Sequence, residues 1–247
     1  TNIGGENISV LLNTPADDTP AGVSVQSRDS DADGLLEALS DRNGTVIDGN
    51  RDQIADATQS RVSAVRMLNS GSVYSDYGAI ELTGQGTLKR TQLIESAADG
   101  SITIRSSNQP AITASLPSGI SNAMLGAVSF RVIDLSPGAS TEVVVHLPQG
   151  LSADVNAYLR FNRLRGRFEE YTDTAGNPLY SFKDDNADGV MDRVVLTLVD
   201  GDPTWDDDGA ADGTVVDPGF VGSGTRSLRG SHQRDSLTGN VLNNTLE

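Results

Sequence analysis

From residue 73 to residue 198 the chain repeatedly alternates apolar and polar residues with a period of two. Ile80 and Leu82 do so, as do Ile102 and Ile104, then Val128, Phe130 and Val132. The pattern returns at Val143, Val145 and Leu147, at Val155, Ala157, Leu159 and Phe161, and at Val194, Leu196 and Leu198. Successive side chains of a strand point to opposite faces, so this period marks strands with one face in a core, and a helix of 3.6 residues per turn cannot satisfy it. Turn formers separate the runs: Asp99-Gly100, Pro117 to Gly119, Pro137-Gly138, Pro148 to Gly150 and Gly176 to Pro178. The expected fold is all-β, an antiparallel β-sandwich of immunoglobulin-like type. Composition agrees, with 26 glycines and only 4% aromatic residues in a chain of 247, which suits short strands and many turns. Further strands are expected at Ile8–Leu12 and Val23–Val25. The spacing of Ile54, Ala57, Val62 and Val65 predicts a short helix between Ile54 and Met67.

The formal charge is −16, and the excess acid is gathered into loops. Asp184, Asn186 and Asp188 stand at alternate positions, followed by Gly189 and Asp192. After the strand Val194–Leu198 comes a near repeat, Asp206, Asp208, Gly209 and Asp212, with Asp200 and Asp202 close by. Earlier in the chain lie Asp29, Asp31, Asp33, Gly34 and Glu37, and then Asp48, Asn50, Asp52 and Asp56, where Gln53 occupies the expected glycine position. Oxygen side chains two apart on a tight loop converge on one hard cation, and a glycine permits the turn that folds them around it. Without a counter-ion these carboxylates repel, so calcium is the expected cofactor at all four loops. The loop with Gln53 is expected to be the weakest. The loops beginning at Asp29 and Asp48 are not EF-hands, because their twelfth positions are Ser40 and Gln59.

Other chemistry is thinly represented. Nucleic-acid binding calls for a basic face, which the sequence lacks. No apolar run is long enough to be a spanning helix. There is no cysteine, hence no disulfide or thiolate site. Calcium is plentiful outside cells and scarce in cytosol, so an extracellular or cell-surface location is the expectation. His146 and His232 are far apart, and His146 is expected at the surface. No nucleophile elbow occurs, and Gly84 to Lys89 reads as a hairpin turn, not a phosphate loop. An enzymatic role is not expected. Asp202-Pro203 and Asp217-Pro218 leave self-cleavage at Asp-Pro as a lesser alternative.

Two segments together resemble the choice-of-anchor U domain of large bacterial secreted and surface proteins. One comprises Leu116 to Gly119, Val128 to Val132, Ser136 to Ser140 and Val143 to Gly150. The other is Asp184 to Gly219, an acidic loop, a strand, an acidic stretch and Asp217-Pro-Gly219. Gln53 departs from the pattern, as does Asp212 where asparagine is usual. The resemblance implies an extracellular β-rich module beside neighbouring domains of a longer chain, without catalytic activity. Residues 1–222 are expected to form the calcium-binding module, with the acidic segment 29–72 packed on it. Residues 223–247 are expected to be a linker and lead-in to repeats of the RTX type. The expected function is that of a calcium-stabilised structural module of an RTX-type adhesin or secreted protein. A calcium-dependent carbohydrate- or peptide-binding module is the alternative, with Trp205 available beside the acidic loop.

Overall fold

The computed structural model describes residues 27–28, 37–38, 46–68, 76–104, 111–151, 155–206, 208–228 and 243–246. Two short strands come first, β1 (Ser27–Arg28) and β2 (Glu37–Ala38), followed by β3 (Val62–Arg66), β4 (Tyr77–Leu82) and β5 (Thr87–Glu95). Next are β6 (Ile102–Ile104), β7 (Ile112–Ala114), β8 (Ile120–Asn122), β9 (Gly126–Ile133) and β10 (Ser140–His146). The rest are β11 (Ala157–Asn162), β12 (Arg167–Glu170), β13 (Tyr180–Lys183), β14 (Arg193–Val199), β15 (Val215–Leu228) and β16 (Asn243–Leu246).

The strands build an all-β sandwich, as the alternation predicts. One sheet has the order β13-β14-β10-β4-β3 and the other β12-β11-β15-β9-β5, with β8 and β16 attached to β15. In the first, Val143 pairs with both Leu82 and Leu196, and Val145 with both Ile80 and Val194. In the second, β15 pairs with β9 through Val215–Gly219 and with β11 through Gly219–Gly222. Ile80, Leu82, Val143, Val145, Leu196 and Leu198 of one sheet share a single buried cluster with Phe130, Val132, Leu159, Val215 and Phe220 of the other. Each such side chain stabilises the fold by about 1.5–3 kcal/mol relative to remaining in water.

Three expectations are corrected. The helix expected between Ile54 and Met67 is one 3-10 turn, Asp56–Thr58, and then β3. Val62 and Val65 lie in that strand; their spacing fits a strand in which both faces are largely covered, with Val62, Ser63 and Val65 all buried. Strand β11 is buried along its whole length, so Tyr158 and Arg160, which alternate with Ala157, Leu159 and Phe161 and are expected on a solvent face, lie inside. His146 is not a surface residue: it is 7% exposed at the end of β10, with Nε2 2.7 Å from Glu81 Oε2 on neighbouring β4. The strand β15 runs through residue 222 to Leu228, and Gly222–Gly224 pair with β8. The strands expected at Ile8–Leu12 and Val23–Val25 lie outside the described residues. Among those described, no helix is long and apolar enough to cross a membrane.

Candidate metal loops

The loops 48–56 and 184–192 have one backbone design. Asp52 and Asp188 each donate the main-chain N–H to the first carboxylate of its loop, Asp48 Oδ1 at 3.1 Å and Asp184 Oδ1 at 3.2 Å. The same N–H groups reach Asn50 Oδ1 and Asn186 Oδ1, at 3.3 and 2.9 Å. Gln53 N–H donates to Asp48 Oδ2 and Gly189 N–H to Asp184 Oδ2. Ile54 and Val190 donate to Asp52 Oδ1 and Asp188 Oδ1, both at 2.8 Å. The amides of Asn50 and Asn186 donate to Asp52 Oδ2 and Asp188 Oδ2. Finally Gly49 N–H meets Asp56 Oδ2 at 2.7 Å, and Asp185 N–H meets Asp192 Oδ2 at 2.8 Å. The backbone agrees: φ is 62° at Arg51 and 59° at Ala187, then 73° at Gln53 and 86° at Gly189. Gln53 therefore adopts the left-handed conformation that its position demands, at a strain cost that Gly189 avoids.

The loops meet. Gly49 is pressed against β4: a Cβ there would lie 2.6 Å from the carbonyl carbon of Gly78. Arg51 reaches across to donate to Leu147 O at 2.7 Å, just beyond β10, and to pair with Asp192 Oδ1 at 2.8 Å. Beside it Arg193 pairs with Asp185. Arg51 was missed by the sequence reading, although it is the sole basic residue between Asp48 and Asp56.

The ninth residues differ sharply. Asp56 is 0% exposed, and its Oδ1 has no hydrogen-bond partner. Burial, assisted by the charges of Asp48 and Asp52, pushes its carboxyl up to about 7, against the pull of the Gly49 and Asn50 N–H groups. At Asp192 burial acts in the same upward sense, but the Asp185 N–H and the Arg51 guanidinium outweigh it and hold the carboxyl below its ordinary range. A buried carboxylate oxygen without a donor is costly and fits a cation. As placed, no three His, Asp or Glu side chains among the described residues are gathered to hold an ion; the loop carboxylates lie on the loop amides.

The third acidic region is built otherwise. It follows β14, whereas 184–192 precedes it, so the two sit at opposite ends of that strand. Asp200, 2% exposed, accepts four main-chain N–H groups, from Gly138, Asp212, Gly213 and Thr214. Its oxygens are committed to stapling the turn after β14. Asp202 Oδ1 accepts from Thr204 and Trp205, Asp206 Oδ2 from Gly201, Asp208 Oδ1 from Ala210 and Asp212 Oδ1 from Thr214. Trp205 is 6% exposed, edge-on to Tyr171, with Nε1 donating to Thr172 O. Glu37 opens β2 opposite Arg28, while Asp29, Asp31 and Asp33 lie outside the described residues.

The Asp-Pro-Gly run serves the core. Asp217 and Arg160 are both buried, with Nε 2.6 Å from Oδ1, and Tyr158 donates to Asp217 Oδ2 at 3.0 Å. The guanidinium lies over Tyr171, 4.7 Å from the ring centre. Burial pushes the Asp217 carboxyl up, and Arg160 and Tyr158 pull against it. Burial likewise opposes the charge on Arg160, but Asp217 prevails and keeps it protonated. Residue 219 is glycine because a Cβ would fall 2.6 Å from Tyr158 Cζ. No protein-family model matches the chain, and none of the curated proteins or solved structures compared with it matches either.

Proposed function

We propose that this chain is a calcium-stabilised structural module of an extracellular or surface-displayed bacterial protein, of the choice-of-anchor U kind beside RTX-type repeats. One observation carries the reading: loops 48–56 and 184–192, from opposite halves of the chain, repeat the same six hydrogen bonds around the same Asp, Asn, Asp, Asp array. Asp48, Asn50, Asp52 and Asp56 would hold one ion, and Asp184, Asn186, Asp188 and Asp192 another. Calcium suits this all-oxygen donor set, and binding would relieve repulsion in a chain of charge −16. The buried, edge-packed Trp205 favours a structural role over sugar stacking.

The test is thermal unfolding in calcium, in chelator and in magnesium. A ligand at a hundredfold excess over its dissociation constant stabilises by about 2.7 kcal/mol per site. Chelation should lower the melting temperature by many degrees, and magnesium should restore it poorly because it resists dehydration. Asp188→Ala should remove the part of the response that loop 184–192 contributes. Superimposed curves in calcium and chelator would refute the reading.

A further inference from the structure

The two loops share six hydrogen bonds and differ at the second oxygen of the ninth residue. Asp56 Oδ2 and Asp192 Oδ2 accept equivalent N–H groups. The other oxygen of Asp56 is buried and unpartnered, while the other oxygen of Asp192 is held by Arg51. The position that is open in the first loop is thus filled in the second by a cationic side chain, and the first loop supplies it. Asp48 and Asp52 stand in the same nine-residue loop as Asp56, and their oxygens, which now accept loop amides, would have to turn toward a cation held at Oδ1.

Resting on the calcium reading above, we propose that loop 48–56 is the tighter calcium site. Arg51, projecting from it, acts as an internal cation that weakens loop 184–192 by occupying Asp192. This reverses the order expected from the glycine position alone. Strain at Gln53 is a fixed feature of the fold and is already present without the ion. The competing guanidinium, by contrast, must leave Asp192 each time that loop binds. Arg51 keeps a second acceptor, Leu147 O, so it can withdraw from Asp192 without losing every partner.

Calorimetric titration of the intact chain with calcium alone decides the matter, using Asp56→Asn and Asp192→Asn to assign the binding phases. The phase lost in Asp56→Asn should be tighter than the phase lost in Asp192→Asn. Arg51→Gln should tighten the Asp192-dependent phase by about fivefold, the scale of a partly exposed ion pair, and leave the Asp56-dependent phase in place. Circular dichroism on each variant verifies the strands. If Asp56→Asn fails to fold, Arg51→Gln still decides, because Arg51 is partly exposed at the loop surface. Absence of calcium heat in every protein would sink the calcium reading and this inference together. Calcium binding with the tighter phase assigned to Asp192, or with both constants unchanged in Arg51→Gln, would overturn this inference alone.

Discussion

Arg160 and Asp217 show what one buried charge demands of its neighbours. Each is inside the sandwich, and each is tolerable only because the other is 2.6 Å away and Tyr158 completes the carboxylate. Removing one partner strands the other in a low-dielectric interior, whereas replacing both with apolar residues removes the demand. Asp217→Ala should therefore cost about 3–5 kcal/mol in urea unfolding. The double change Asp217→Leu with Arg160→Met should cost far less. A double variant as unstable as the single one would show that the pair contributes more than mutual neutralisation.

At the scale of elements, the acidic loops are shaped by the strands they join. The 184–192 loop closes the β13–β14 hairpin, where Tyr180 to Lys183 pair with Arg193 to Leu196. The 48–56 loop leads through the 3-10 turn into the region of β3 and packs on Gly78 of β4. Both end beside the same end of β10, which lets Arg51 span them. Gln53 sits at φ 73° where its counterpart is Gly189. Gln53→Gly should accordingly stabilise the chain by about 1 kcal/mol, less the entropy that glycine adds to the unfolded state. A fall in the urea midpoint would mean that the Gln53 side chain holds the loop in some other way.

For the whole molecule, His146 ties stability to pH. It faces Glu81 of β4, Arg193 of β14 and Arg51 of the first loop. Burial lowers its pKa from 6.5, aided by the two arginines and opposed by Glu81. The unfolded chain then binds the extra proton more readily, so His146 adds a loss of stability as pH falls below about 6.5 and none above it. Asp56, held up at about 7, has the opposite sign, because its folded form takes up the proton. The sign is thus carried by the difference between variants, not by one curve. In chelator, His146→Gln should lose less stability than the parent between pH 7 and about 5. Parallel curves would mean that Glu81 cancels the effect of burial and leaves the imidazole titrating alike in the folded and unfolded chain.

The sequence by itself determined the all-β class, because a period of two buries one side of each strand at Ile80, Val143 and Leu196 whatever the partner. It also located the acidic loops, since Asp at alternate positions next to a left-handed turn is a local property of nine residues. It could not determine which residues lie in the wet layer. Tyr158 and Arg160 alternate with apolar residues yet are buried, because β11 is covered on both sides and Asp217, far along the chain, supplies the balancing charge. The helix read at Ile54 to Met67 failed for a related reason: Val62 and Val65, three apart, suit one helix face, but β3 is covered on both faces and pairing with β4 made it a strand. The ranking of the loops was likewise beyond local reading. Asp56 and Asp192 hold the same place in the same motif, and only tertiary packing buries one without a partner while bringing Arg51 onto the other.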